Sequence, residues 1–331
     1  MMSTLNSRRK YLSKDLFNQP TTIALLSCMI IALIMPYLLP LHITRTFTIT
    51  FIYAILALSW NIASGYAGQL NLGVAFMFGI GGYTSAITSA TFGFPVWFSI
   101  VIGSLLGMIS GIIPGLISLR LQRSYLGLAT LALPMILSAI IVNALPREIA
   151  GGMEGILAPP LLGVRDIVLE YYVALVSLLL SSIFVWRIAS SKMGLFFQII
   201  REDEDVAKAS GINTHLYKVL AFLLTGLLAG FSGSLYVHVV RTVSPVVTSF
   251  LISFLPIIWC AIGGAGTVYG PIIGTILLDV PTSLARGYIG AFAEYVPYAL
   301  LLLVVFIPRG EFGVGRLLVL RLKGIKLEHM R

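Results

Sequence analysis

Apolar residues run along this chain in stretches of about twenty, broken by short polar intervals, and that pattern predicts helices long enough to cross a bilayer. Ten such segments can be read, at about 21–41, 43–64, 72–90, 95–119, 125–145, 167–188, 216–239, 247–263, 270–288 and 294–308. The third, 72–90, is short and Gly-rich, and reads either as a full span or as a broken, re-entrant segment covered by protein or lining a cavity. In the fourth, Gly103, Gly107, Gly111 and Gly115 recur every four residues and line one face. Small residues at that spacing let helices approach closely in lipid. The Gly-rich runs Gly65–Gly73, Gly79–Gly82 and Gly263–Gly274 read the same way, as helix packing rather than ligand contact.

The longest polar interruption is 189–215, and within it Ile199–Asn213 is the densest charge cluster of the chain. Glu202, Asp203, Glu204 and Asp205 come first, then Lys208, then Gly211. That order suits a short exposed helix, with acids near its positive end and a cation near its negative end. Glu204 and Lys208 are four apart in the favourable orientation, and Gly211 can end the helix in the left-handed conformation. Such a helix between two spans is either a docking surface for something outside the membrane or a solvated loop, and its composition allows both. The longest loop on the opposite side, about 146–166, is rich in Gly and Pro and predicts a turn-rich connection rather than a helix. It reads as a cap or receiver at the outer mouth, or as a plain linker.

Composition sharpens the class. The chain is 58% hydrophobic and 11% charged, with a mean hydropathy of +0.97, against about 25% charged in a soluble domain. It is therefore an all-α polytopic membrane protein of about ten transmembrane helices. One membrane domain, 21–308, is flanked by a short segment, 1–20, and a basic tail, 309–331. The net charge of +9 follows membrane sidedness rather than nucleic acid. With the N-terminus inside, 17 of the 22 Lys and Arg fall on the inner side and only Arg45, Arg147, Arg165, Arg241 and Arg286 on the outer, which satisfies the positive-inside rule. This predicts a cell-membrane protein with both termini and the 189–215 loop in the cytoplasm. Arg8-Arg9-Lys10 is then an ordinary positive flank rather than an export signal, and the basic tail lies along anionic headgroups at about 1 kcal/mol per basic residue near the surface.

Little here can do covalent chemistry. There is no H-E-x-x-H pair, no Walker-type loop and no Cys/His metal spacing, and the four His are scattered. No enzyme activity, cofactor or metal is expected. Three polar residues are candidates for a pathway. Gln69 and Asn71 are uncharged polar groups at a span end. Asp279 lies inside the ninth span, where an ionisable group is costly and therefore informative. It can pair with Arg286 or Arg241, bind a cation, face water, or sit protonated.

Several ordered motifs resemble one family. Gly68-Gln69-Leu70-Asn71-Leu72-Gly73 with Phe78-Gly79-Ile80-Gly81-Gly82-Tyr83-Thr84, the Gly151-Gly152-x-x-Gly155 loop followed by Pro159-Pro160, and Ile200-Arg201-Glu202-Asp203-Glu204 with Ala207, Ala209 and Gly211-Ile212-Asn213 form an ordered series. Tyr217-Lys218, Gly263-Gly264-x-Gly266-Thr267-x-x-Gly270-Pro271 and Pro308-Arg309-Gly310 continue it. Together they resemble the permease subunit of branched-chain amino acid ABC importers, the Liv-type, LivM-like group, over nearly the whole chain after residue 50. The resemblance implies a transmembrane subunit without its own ATPase. It implies two ATP-binding subunits, a second permease subunit, an extracytoplasmic solute-binding protein and an amino acid substrate as partners. It also implies that Arg201, Glu202, Asp203, Glu204, Ala207, Lys208, Gly211 and Asn213 belong to the segment that docks on the ATPase. A likeness to cobalamin-type importer permeases suggests that spans 2–5 and 7–10 form an inverted pair. Lys208 departs from the family's usual acid and Asp279 from an apolar position. Related permeases carry urea or short-chain amides, and a gradient-driven carrier with Asp279 as coupling acid is the rival transporter class.

Overall fold

The computed structural model describes residues 32–121, 123–163, 166–290 and 292. The stretch 32–38 is helical, and α1 (Leu41–Trp60) runs straight on into a π-helical turn, Asn61–Tyr66. Then follow α2 (Val74–Ala90), α3 (Val96–Ser110), α4 (Ile112–Arg120), α5 (Arg123–Asn143), the single turn α6 (Arg147–Ala150) and α7 (Ile167–Ala189). A polar elbow, α8 (Lys192–Glu202) and α9 (Glu204–Ala209), leads to the longest helix, α10 (Thr214–Val240), and then to α11 (Phe250–Gly263) and α12 (Tyr269–Ile289). The two strands, β1 (Ile156–Leu157) and β2 (Thr242–Val243), pair antiparallel.

Among the described residues, five helical runs are long and apolar enough to cross a membrane: Leu41–Tyr66, Val96–Arg120, Ser124–Asn143, Ile167–Ala189 and Thr214–Val240. Val74–Ala90 and Phe250–Gly263 are apolar but shorter. The 72–90 segment is a continuous helix, not a broken one, and its 17 residues rise about 25 Å against a hydrocarbon thickness of about 30 Å. Most of the expected first span, the whole expected tenth span, the segment 1–20 and the basic tail lie outside the described residues.

The bundle is built around α10, which packs against α1, α2, α3 and α4. It makes these approaches with small residues on each of its faces. Toward α1, Thr225 donates to the Ser59 carbonyl at 3.0 Å and Ser232 to that of Ile52 at 2.7 Å. Toward α2, Ser234 donates to the Gly81 carbonyl at 3.0 Å. Toward α3, Gly226 and Gly230 meet Gly103 and Gly107 so closely that a methyl group on Gly226 would stand 2.2 Å from the Gly107 carbonyl oxygen. The four-residue glycine spacing of the sequence is thus a helix-packing face, with Gly111 opposite Phe222 as its third contact. In lipid no hydrophobic force drives helices together, so close backbone contact and hydroxyl-to-backbone bonds supply the cohesion.

A second layer forms around α1, which packs against α7 and α12 as well as α10. Phe51 meets Tyr171 of α7 at 5.3 Å between ring centres, and Tyr171 and Tyr172 donate to the carbonyls of Ala32 and Leu33. The α11 and α12 helices cross at glycines. A methyl on Gly274 would meet the Trp259 carbonyl at 1.9 Å, and one on Gly263 the Gly270 carbonyl at 1.9 Å.

The loop expected at 146–166 is turn-rich, with one helical turn, α6, that its Gly and Pro content did not predict. It folds back on the end of α10. Ile156 pairs with Val243, the Ala158 amide donates to the Arg241 carbonyl at 3.0 Å, and the Pro159 carbonyl lies 2.8 Å from His238 Nδ1. Gly155, at φ +80°, passes so close that a Cβ would stand 2.1 Å from the Val243 oxygen. This explains the GG-x-x-G spacing by backbone approach. Arg241 itself pairs with Glu170 of α7 at 2.9 Å, not with Asp279.

Candidate functional site

The polar elbow is two helices rather than one. Asp203 is where they meet: its extended backbone ends α8, and its Oδ1 accepts from the Asp205 and Val206 amides at 2.8 and 3.1 Å as the N-cap of α9. Arg201 and Glu202 therefore close α8, whereas Glu204 and Asp205 open α9. That division differs from a single helix starting in the acid run, because an aspartate that can cap its own backbone competes with continued helix. The remaining expectations for α9 hold. Lys208 Nζ lies 3.1 Å from Glu204 Oε1, and Gly211 takes φ +77° two residues past the helix end. Asn213 caps α10 by accepting from the Leu216 amide at 3.1 Å.

Burial separates the members of this segment. Ala207 is fully buried beneath α9, while Glu202, Asp203, Asp205, Lys208 and Gly211 are exposed, together with the apolar Val206. The α9 helix therefore offers an acidic, partly apolar outer face. Beside it a groove of about 350 Å³ opens between Phe196, Gly211, Asn213, Leu216 and Tyr217.

Phe196 and Phe197 of α8 pack edge-on against Tyr217 of α10, and two charged side chains tie the elbow further to the bundle. Glu204 Oε2 accepts a short hydrogen bond from Lys218 of α10, whose side chain is 2% exposed. Partial burial alone would push the Glu204 carboxyl up, but the hydrogen bonds and charges of Lys218 and Lys208 outweigh it and hold it below its ordinary value. It stays ionised at neutral pH. Lys208 is held above its usual value by its hydrogen bond to Glu204. The second contact is Arg201, whose Nη1 donates to the Gly65 carbonyl at 2.5 Å in the π-helical turn that ends α1. Around it, Asn61 joins that turn to the α11–α12 connection: its Nδ2 donates to the Thr267 carbonyl at 2.7 Å and its Oδ1 accepts from the Gly266 amide at 2.8 Å. Asn61 carries no signal in the sequence, while Lys218 and Thr267 stand in the motifs above and Gly65 in a Gly-rich run without a role in this junction. Lys218 and Glu204 are fourteen residues apart, beyond any local periodicity. A π-turn at the end of a span is itself a recurrent mark of functional positions.

The structure gives the other candidates distinct settings. Asn71 is fully buried. Its Oδ1 accepts from the Gly73 amide at 2.9 Å and its carbonyl accepts from Trp60 Nε1 at 2.6 Å, while its Nδ2 has no partner among the described residues. Gln69 bonds its own turn, through Nε2 to the Ala67 carbonyl at 3.2 Å. Asp279 is buried in α12 and accepts from Thr50 of α1 at 2.6 Å. The structure does not bring Gln69 or Asn71 together with Asp279. Among the described residues no cluster of His, Cys, Asp and Glu could hold a metal ion.

A family model described as the branched-chain amino acid transport system / permease component matches residues 42–307. The chain belongs to this family. It is 27% identical to the high-affinity branched-chain amino acid transport system permease protein LivM of Escherichia coli K12, over 88% of this chain and 75% of that one. It is 26% identical to the probable branched-chain amino acid transport permease protein LivM of Methanocaldococcus jannaschii, over 69% of this chain and 79% of that one. A match to the LivH permease protein of Salmonella typhimurium is 29% identical over 37% of this chain and 40% of that one. No solved structure matches the chain. The chain is thus a multi-pass permease subunit of an amino acid importer and not an enzyme.

The Glu204 contact makes a test within this permease. Glu204→Lys places three ammonium groups together and leaves Lys218 buried without its carboxylate. Removing one partner of a buried pair costs about 3–5 kcal/mol, and the partial exposure of Glu204 puts this contact below that range. We expect α9 to detach locally, read as faster amide hydrogen exchange over 203–213 with the spans still protected. Unchanged exchange there would deny the ion pair its anchoring role.

Proposed function

We propose that this permease is one half of the membrane channel of an ATP-driven importer of branched-chain or related amino acids, and that the α8–α9 elbow is where the ATPase acts on it. The reading is supported most directly by Arg201. The elbow carries an exposed acidic surface and is bonded through this residue to the end of α1, where Asn61 in turn bonds the α11–α12 turn. A push on α9 would therefore reach three spans at once. The positive-inside count supports a cytoplasmic elbow and cytoplasmic termini. The helices match eight of the ten expected segments in position, which supports a ten-span permease, and in this reading spans 2–5 and 7–10 form its inverted pair.

In this reading two ATP-binding subunits dock on Glu202–Asn213, a second permease completes the channel, and a solute-binding protein delivers substrate to the outer loops. The 146–163 connection presents Met153 and Leu157, 79% and 81% exposed, on that outer side. Gln69 and Asn71 act on the pathway through the turn they hold together rather than by lining it.

The experiment is co-expression of this chain with its candidate ATPase and second-permease neighbours, with 199–213 intact or replaced by Gly-Ser. Co-elution lost only in the replaced form is the expected result. Association with none of them in either form would overturn the importer reading in favour of a gradient-driven carrier that uses Asp279.

A further inference from the structure

Thr50 and Tyr53 stand about one turn apart on α1 and so share the face that meets α11 and α12. Thr50 reaches across to Asp279 Oδ2, and Asp279, near the middle of α12, is only 9% exposed. Tyr53 stacks on Tyr236 of α10 with ring centres 5.6 Å apart and 25° between planes. On its other side it packs against Trp259 of α11, also at 5.6 Å. Arg286 lies two turns further along α12, on the same face as Asp279. Trp259 is fully buried, and its Nε1–H has no acceptor among the described residues.

Two costly buried groups therefore lie along the same face of α1, the Trp259 ring against Tyr53 and Asp279 bonded to Thr50. A buried N–H without an acceptor costs about 1–3 kcal/mol, and an ionisable side chain at the middle of a span costs about 2.5–3.5 kcal/mol on insertion scales. A single occupant relieves both only if it brings an acceptor and a cation on one small frame. A bare metal ion or proton satisfies Asp279 but offers nothing to an indole N–H. An α-amino acid carries both groups on one carbon.

We propose that Asp279, Trp259 and the Tyr53–Tyr236 pair form a recognition site for the transported amino acid inside the membrane. Asp279 takes the ammonium in place of the Thr50 hydroxyl, the Trp259 N–H takes a carboxylate oxygen, and the stacked tyrosine pair borders the site. The inference rests on the amino acid importer reading and adds the residues that would distinguish zwitterion from apolar cargo. The site is closed in this conformation and would open as the spans around α1 move.

The test uses the assembled transporter, purified with its ATPases and second permease, with radiolabelled leucine as probe and no binding protein present. We expect weak leucine binding that is not displaced by 4-methylpentanoate, the analogue without the ammonium. Asp279→Asn and Trp259→Phe should each weaken it at least tenfold, with co-elution of the ATPases and the second permease retained. Trp259→Phe keeps most of the ring volume, so it decides the matter if Asp279→Asn fails to assemble. A wild-type complex that imports leucine, isoleucine or valine while both variants do so at full rate per ATP overturns the site and leaves the importer reading standing. A wild-type complex that imports none of the three overturns the reading itself. Leucine uptake that collapses when ion gradients are dissipated with ATP present would make Asp279 an ion-coupling acid and overturn the proposal.

Discussion

Gly226→Val prevents this permease from reaching its folded form. The expectation comes from the backbone of α3, which leaves no room. A Cβ at 226 would stand 2.2 Å from the Gly107 carbonyl oxygen, 3.0 Å from its carbon and 3.1 Å from the Met108 Cα. None of these is a side-chain end that can swing away. Relief requires α3 to move off α10, which would also part Gly230 from Gly103 and Gly107. Overpacking a well-filled core typically costs about 1–3 kcal/mol and occasionally more. Here the insertion is branched and the obstacle is main chain, so the cost lies at or beyond the upper end. A cost of about 3 kcal/mol is more than a hundredfold in the folded fraction. The measurement is the monodisperse yield in mild detergent and its loss on stepwise heating. Gly115→Ala is the control. Its nearest neighbour, the Val219 Cα, stands 3.3 Å away, and alanine gains up to about 1 kcal/mol in helix propensity. It should keep wild-type yield. Equal yields for Gly226→Val and Gly115→Ala would mean that the glycine face does not hold these helices together.

That glycine face was visible in the sequence because a four-residue spacing is a local signal, and helix packing in lipid converts it directly into contact. The same holds for the apolar segments, for the Glu204–Lys208 pair and for the left-handed Gly211, each set by residues within one or two turns. What the sequence concealed is long-range. Asp203 looked like one acid among four, yet it divides the elbow into two helices because its side chain caps the chain that follows it. Lys218 reads as a flanking cation at the foot of a span, and only the fold turns it inward onto Glu204. Asp279 was visible as a charge out of place, but its partner Thr50 lies 229 positions away. Arg241 was an equal candidate partner until Glu170 took it. The Trp259 N–H gave no signal at all, since a tryptophan in an apolar run is ordinary and only the absence of an acceptor among the described residues marks it.

Arg201→Ala uncouples the transporter without dismantling it, and this separates transmission from docking. The Arg201 side chain leaves α8 and enters a junction that glycines keep open. Gly68, at φ +68°, would carry a Cβ 2.7 Å from the Arg201 Cγ, and Gly266, at φ +78°, one 2.9 Å from its Nη1. Two unrelated loops thus lack side chains where this one arginine lies, Gly68 along its stem and Gly266 at its guanidinium. Its bond to the Gly65 carbonyl is charge-assisted, of a kind worth about 1.5–3 kcal/mol. Asn61 extends the link to Thr267 and hence to α12. Removing the guanidinium leaves α9, its Asp203 cap and its Glu204–Lys218 anchor intact, so the docking face persists. The expected result is a complex that still co-elutes with its ATPases, while uptake and substrate-stimulated ATPase fall tenfold or more, the loss that 1.5 kcal/mol brings to a two-state coupling. Arg201→Lys should recover only part of this, because an ammonium can reach one carbonyl but does not fill the planar space of the guanidinium. Glu204→Lys disturbs the elbow itself and should reduce co-elution as well as transport. If Arg201→Ala leaves stimulated ATPase at the wild-type rate, motion enters the bundle by another route. The Glu204–Lys218 contact would then be the direct connection from α9 to α10, and the inner ends of α1 and α12 would follow passively.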